Sequence, residues 1–342
     1  MVYQTHIEKA VKESFTDYAA GKCDNPLHIF KLEQVIEAVG DSVFSNLLKN
    51  TANKRMIQAF DLASGSWSTL VNKPFGNRPD FKKNTLIRIE EMARLPIVSK
   101  REKVTMDTVG EESGEYRVRS YEKGYQFTRE DIVNDDLGAF MKFPQSQGRA
   151  AARTIDKYVY DFINDNASAG IDGQILFSNS SAHDNIATTS PLSTTNLEVV
   201  QNLLTAQTEK KTGDKLALRP SFLIVPTSLE LLANRIVRST KLQGTTNNDM
   251  NPFDSLQVIV SPWLTDTGVV STADWYLAAS PSMTETIQLD FLKGRSTPET
   301  LHQIPDSKDG YDFINRTRAF KTRYEFGGML ADYRWIAKGD AV

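Results

Sequence analysis

GEYRVRSYEKGYQFTREDIVNDDLGAF (residues 114–140), followed closely by GRAAARTIDKYVYDFI (148–163), carries the chain from strand to helix. The first part, as far as Thr128, is charged and strand-like. Thr128 is then a good N-cap for a short helix over the next residues. A long helix opens near Pro144, which suits a first turn because its missing N–H leaves no intrahelical bond unmade there. Ala151, Ile155, Tyr158, Val159, Phe162 and Ile163 form one apolar stripe, while Arg149, Arg153, Asp156 and Asp161 lie mostly away from it.

Upstream, TLIRIE (85–90) runs out and EYRVRSYEKGYQFT (115–128) runs back. The middle is basic first, at Lys100, Arg101 and Lys103, and acidic afterwards, at Asp107, Glu111, Glu112 and Glu115. A structureless loop of about twenty residues is unusual in a compact domain. Residues 82–121 therefore read as an extended hairpin, with a solvated loop as the alternative. From Asn50 to Asp80 the helical pattern fades into turn-rich sequence. Nearer the start, Ile7, Val11, Phe15 and Tyr18 recur at helical spacing as far as Gly21. Ile29, Leu32, Val35 and Ile36 do the same between Pro26 and Gly40.

Downstream, NASAGIDGQILFSNSSAHDN (166–185) marks a boundary, and a compact α/β section follows. Thr195 with Glu198 reads as a capping box, with Leu197, Val200, Leu203 and Leu204 as the buried face and Gly213 as the stop. FLIV (222–225) is a buried strand, and TSLE (227–230) caps a second helix carrying Leu229, Leu232, Ile236 and Val237. Further strands read LQVIV, WYLAA and TIQLDFL. In the closing FKTRYEFGG (320–328), strand alternation puts Phe320, Thr322, Tyr324 and Phe326 on one side. Lys321, Arg323 and Glu325 take the other. The glycine pair permits a bend or a close backbone approach.

The 342 residues suffice for two domains or one with a large insertion; 40% are hydrophobic and 24% charged, as in a globular protein with a core. A net charge of −3 provides no global basic field for nucleic acid. The single cysteine, Cys23, has no disulfide partner and no companions for zinc. The charged start does not resemble a signal peptide, and no window approaches the length of a membrane helix. These features point to a cytosol-like compartment and to no membrane partner.

Catalytic patterns are missing. The sequence lacks GxGxxG, GxxxxGK[ST] and GxSxG, and His6, His28, His183 and His302 show no metal-ligand spacing. Ser181, His183 and Asp184 stand too close in sequence for the usual triad geometry. Adjacent carboxylates such as Glu90–Glu91 and Glu111–Glu112 diverge on any regular element. No catalytic, cofactor or metal residue is therefore expected.

With DGQILFSNSSAHDN, LRPSFLIVPTSLE, NPFDSLQVIVSPWL, WYLAAS and DGYDFINRTRAFKTRYEFGGMLADYRW, the opening stretch resembles the major capsid proteins of tailed bacteriophages and prophages. The matches run in order from about Asp61 to Lys338. The resemblance implies an α+β, Hong Kong 97-type fold. Its parts would be an N-terminal arm and connecting segment (1–81), the hairpin as E-loop (82–121), a peripheral domain with a spine helix (122–192), an inserted axial domain (193–294) and closing peripheral strands (295–342). Trp335 departs from the family, which often has a small residue after Asp332-Tyr333-Arg334.

The implied function is structural: self-assembly into hexamers and pentamers of an icosahedral head enclosing double-stranded DNA. Portal and scaffold or a maturation protease would be partners, and assembly would occur in the bacterial host cytoplasm. Charged hairpin limbs can pair with complementary charges on a neighbour. The candidate subunit-interface residues are Arg94, Lys100, Arg101, Lys103, Glu111, Glu112 and Glu115, with Arg323 and Glu325 of the closing strand. A tail or decoration protein is the alternative, and a hydrolase using Ser181, His183 and Asp184 a further one.

Overall fold

The apolar stripe downstream of residue 138 folds as one helix, here called α3 (Ala139–Asn164). The computed structural model describes residues 9–14, 16–17, 22, 41–92, 94–100, 103–104, 106, 110–128, 139–164, 170–179, 183–239, 250–265, 273–302 and 317–341. The helices expected around 7–18 and 26–36 fall mostly outside these residues, although 9–14 and 16–17 are helical. Cys23 and the short helix expected after Thr128 also lie outside them.

Pro144 sits inside α3 and does not open it. Near a helix start a proline removes only one backbone bond, so the helix can begin earlier. Asp156, expected off the apolar face, is buried. Its carboxylate accepts from the backbone N–H of Trp67 at 3.2 Å and the indole N–H of Trp263 at 2.8 Å. Paired in this way, a polar group is tolerated in a core. Burial raises the pKa of this carboxyl against the lowering effect of those two bonds.

The chain forms two compact units. Unit one comprises Met1–Gly65, Arg119–Ile155 and Arg295–Phe326, and unit two comprises Ser66–Val118, Asp156–Gly294 and Gly327–Val342.

In unit one, α1 (Asp41–Leu62) is a helix where the sequence pattern fades. Its buried residues Ala52, Met56, Ala59 and Phe60 do keep helical spacing, but two of the four are alanines and the signal is faint. β4 (Arg119–Thr128) and β10 (Glu299–His302) both pair antiparallel with residues 317–326 of β11 (Thr317–Leu330). Phe320, Thr322, Tyr324 and Phe326 are buried, as alternation requires. This face meets α1. Phe60 packs edge-on against Tyr324 at 5.6 Å, and the Thr322 hydroxyl lies 3.7 Å from the Met56 sulfur.

Unit two contains α2 (Trp67–Leu70) and a sheet in the order β5–β12–β8–β6–β7, with β6 (Pro220–Pro226) parallel to β7 (Gln257–Ser261). β8 is Trp275–Ala279, β5 is Ile186–Ala187 and β12 is Ile336–Gly339, so the chain's last strand joins this sheet. Leu197, Val200 and Leu204 of α4 (Thr194–Ala206) and Ala233 and Val237 of α5 (Glu230–Arg238) share its core with Leu223, Val225 and Leu277. The N-cap of α4 is Ser193, whose side chain accepts from Asn196 N–H at 3.2 Å, so the cap falls two residues before Thr195. The helix ends at Ala206, and Gly213 occupies a left-handed turn at φ +69°.

TIQLDFL is not part of that sheet. It forms β9 (Ile287–Leu292), parallel to β1 (Gly76–Arg78) and next to β11, where Gly328 lies against Gln288. The glycine pair is a close approach. A Cβ at Gly327 would come 2.2 Å from the Arg117 carbonyl oxygen, and one at Gly328 equally near that of Gln288. Tyr158 Oη bonds both backbone groups of Gly328, at 3.0 and 3.2 Å.

Candidate subunit interface

The hairpin is a two-stranded ladder in unit two, β2 (Asn84–Ile89) antiparallel to β3 (Glu111–Tyr116), with Arg88 opposite Glu112. Alternation divides its side chains. Leu86, Arg88, Glu112 and Tyr116 face inward, and Thr85, Ile87, Ile89, Glu111, Ser113 and Glu115 face outward. Two neighbouring acids, both candidates for the interface, face opposite ways as adjacent strand residues must. Glu111 is exposed, whereas Glu112 points into its own chain, 3.6 Å from Arg88 and 3.2 Å from Lys210.

Beneath the inward face lies a buried charge cluster. Arg88 donates to both oxygens of Glu209, at 2.9 and 3.4 Å, and its Nη2 stands 3.2 Å from Asp332. Arg334 reaches the same two acids, Asp332 at 2.9 Å and Glu209 at 3.2 Å, and donates to the Thr208 carbonyl. Burial opposes charge on Arg88, but Glu209, Asp332 and Glu112 hold its pKa above the ordinary value. Burial likewise pushes Glu209 up, and the two guanidiniums more than offset it, leaving the carboxyl below its usual range. At the hairpin's foot, Tyr116 Oη donates to buried Asp290 and accepts from Arg78 at 2.8 Å. Burial and that bond to Asp290 raise the phenol pKa.

Among the described residues His183 joins no triad. Its Nε2 meets Asp172 at 2.7 Å, its Nδ1 meets the Leu176 carbonyl at 3.0 Å, and its ring stacks on Tyr333 at 3.6 Å. Asp184 is exposed, its carbonyl accepting from Gln207 at 3.2 Å. Ser181 lies outside the described residues. Among those residues no group of His, Cys, Asp and Glu could hold a metal, and no helix is long and apolar enough to cross a membrane.

The other candidates divide similarly. Lys100 and Lys103 are exposed, and Arg101 lies outside the described residues. Glu115 is exposed and pairs with Lys83 at 2.6 Å. Arg94 extends into solvent yet binds Asp214 through its backbone N–H at 3.1 Å and Nε at 2.7 Å. Arg323 is half-buried in unit one, 3.3 Å from Glu299 and 3.6 Å from Glu325.

The hairpin also exposes apolar side chains. Leu95 and Ile97 are 95% exposed, and Ile87, Ile89, Val104 and Met106 are also exposed along the same hairpin. Exposed apolar side chains concentrated in one segment are the kind of surface that a partner covers. The signal was present in LPIV and VTM, but an apolar run in a hairpin reads equally well as buried strand.

With the fold and this surface established, known proteins supply the comparison. The profile of a family described as phage capsid protein matches residues 111–339. The chain belongs to the phage capsid protein family. This capsid protein has the α+β, Hong Kong 97-type fold, and its role is structural: it self-assembles into the shell of the phage head and resides in the virion.

Solved structures share the fold at low identity. Similar chains include one of Mycobacterium phage Adephagia (TM-score 0.52, 9% identity, 81% of this capsid protein and 90% of that chain). Another is from the capsid structure of the Cyanophage P-SCSP1u (TM-score 0.51, 11% identity, 81% and 88%). A third is of Gordonia phage Cozz (TM-score 0.50, 12% identity, 81% and 86%). No curated protein matches the sequence.

Proposed function

We propose that this capsid protein is the major head subunit, forming hexamers and pentamers of an icosahedral shell around double-stranded DNA. The observation that carries the reading is the hairpin, whose apolar side chains are exposed in the single chain. A surface of this kind is stabilised when a neighbour covers it, and heterologous contacts that close into rings generate capsomers. The outward charges Lys100, Lys103, Glu111 and Glu115, together with Arg101, steer that contact. Arg94, Glu112, Arg323 and Glu325 shape their own subunit.

In this reading residues 1–81 form the arm, 82–121 the E-loop, 122–192 and 295–342 the peripheral domain, and 193–294 the axial domain. Assembly takes place in the host cytoplasm with a portal and a scaffold or maturation protease, and the packaged DNA is contacted without sequence preference. Electron microscopy of the purified protein tests the proposal. Icosahedral shells or flat hexamers are expected, and tubes or isolated trimers would point instead to a tail or decoration protein.

A further inference from the structure

We infer that Arg88 is the positioning residue of the hairpin: locked among carboxylates from three other chain segments, it sets the direction in which β2 and β3 leave unit two. The inference rests on the shell reading only for its consequence, that hairpin direction controls reach to a neighbouring subunit. The positioning itself is a property of the single chain.

Among the described residues the β2–β3 ladder is a separate two-stranded sheet, hydrogen-bonded to no third strand. Its backbone pairing holds the two strands together but leaves their direction to side chains. Arg88 lies near the outer end of β2, and its side chain is 6% exposed. It faces Glu112 from β3, Glu209 from the segment after α4, and Asp332 from the turn after β11. The guanidinium places two N–H groups on the two oxygens of Glu209, a planar match that a lysine ammonium cannot reproduce.

Arg334, fully buried, holds Glu209 and Asp332 from the other side, so the acids are pre-arranged before Arg88 enters. Swinging the hairpin would withdraw Arg88 together with Glu112, the partner of Lys210, and leave buried Glu209 and Asp332 to share Arg334. One guanidinium would then face two buried carboxylates, which strongly opposes the motion. Two contacts extend the same anchorage: Glu91 N–H reaches Glu209 at 3.4 Å, and Arg94 reaches Asp214.

The test measures direction itself. Spin labels are placed at Ser113→Cys on the exposed face of β3 and Leu231→Cys on the exposed face of α5, with Cys23→Ser removing the only native thiol. Pulsed EPR on the unassembled subunit reads the distance between them. The parent protein is expected to give one narrow distribution. R88M/E209Q removes one charge of each sign, keeps the cluster balanced, and is expected to broaden that distribution at least twofold. R88K, which retains charge without the planar fork, is expected to lie between.

An R88M/E209Q distribution matching the parent in width and position would overturn the inference. Should that variant fail to fold, R88K carries the test, and a parent-like distribution would then overturn it. Because the distances come from single subunits, they stand whether or not the parent forms shells. Microscopy of the parent judges the shell reading separately.

Discussion

Gly148 of α3 lies directly against the Met56 carbonyl of α1: a Cβ at position 148 would fall 2.2 Å from that oxygen and 3.1 Å from the Ala59 Cβ. α1 and this part of α3 meet at a point where no side chain fits. Alanine in place of a mid-helix glycine normally stabilises by about 0.5–1 kcal/mol. Here the backbone oxygen cannot step aside, so Gly148→Ala is expected to destabilise by about 1–3 kcal/mol. A higher melting temperature for the variant would contradict this packing.

Asp156 satisfies two donors, Trp67 N–H and the Trp263 indole. Asp156→Ala leaves both without a partner, at a cost of about 1–3 kcal/mol each. Burial has raised the carboxyl pKa, so charge at this site is itself unfavourable. Asp156→Asn, which retains one acceptor and sheds the charge, should therefore be much milder than alanine. Equal losses in denaturant unfolding would remove the hydrogen bonds from the explanation.

Acid should weaken unit two through Asp172 and Glu209. Burial raises the Asp172 pKa, but His183 and the Gln174 N–H more than offset it, and the two guanidiniums do the same for Glu209. Both folded-state values thus lie below the ordinary carboxylate range. The stability these groups contribute is complete above about pH 4–5 and is lost as pH falls through the lower folded values. Asp172→Asn should reduce stability at pH 7 and flatten the acid limb of a melting-temperature profile. An unchanged acid limb would exclude the pair as its source.

Leu95→Ser with Ile97→Ser tests the apolar hairpin surface. Both side chains are almost fully exposed, so subunit stability should stay within about 0.5 kcal/mol of the parent. Shell yield by microscopy is expected to fall sharply. Normal yield would separate these residues from assembly.

Arg323, a candidate interface residue, is engaged within its own subunit, so in Arg323→Glu the new carboxylate would face Glu299 and Glu325. A loss on the order of 1 kcal/mol in the subunit is expected before any effect on assembly. A melting temperature identical to the parent would show that these pairs are too solvated to matter.

Strong periodicity was legible. The α3 stripe, the buried FLIV strand and the alternation of FKTRYEF all appear where the residues put them. The return limb read at EYRVRSYEKGYQFT does not: only Glu115 and Tyr116 of it pair with β2, and residues 119–128 join β11 instead. α1 escaped notice because a stripe half made of alanine carries little contrast, and alanine is needed where helices approach closely. Pro144 misled because a proline near a helix start is tolerated within the helix as well as at its first turn. For the interface, the reading weighed charges and passed over the apolar residues between them.

Local spacing was enough to place the strongly patterned helices and strands and their apolar faces, and too weak for α1. The sequence also carried enough ordered motifs to indicate a phage capsid protein. Only the tertiary structure decided which faces meet. TIQLDFL left the α/β sheet for β1 and β11, IAKG joined that sheet, and Arg88 met Glu209 and Asp332. Those pairings link residues far apart in the sequence, where local spacing carries no information and packing together with buried charge selects the partner.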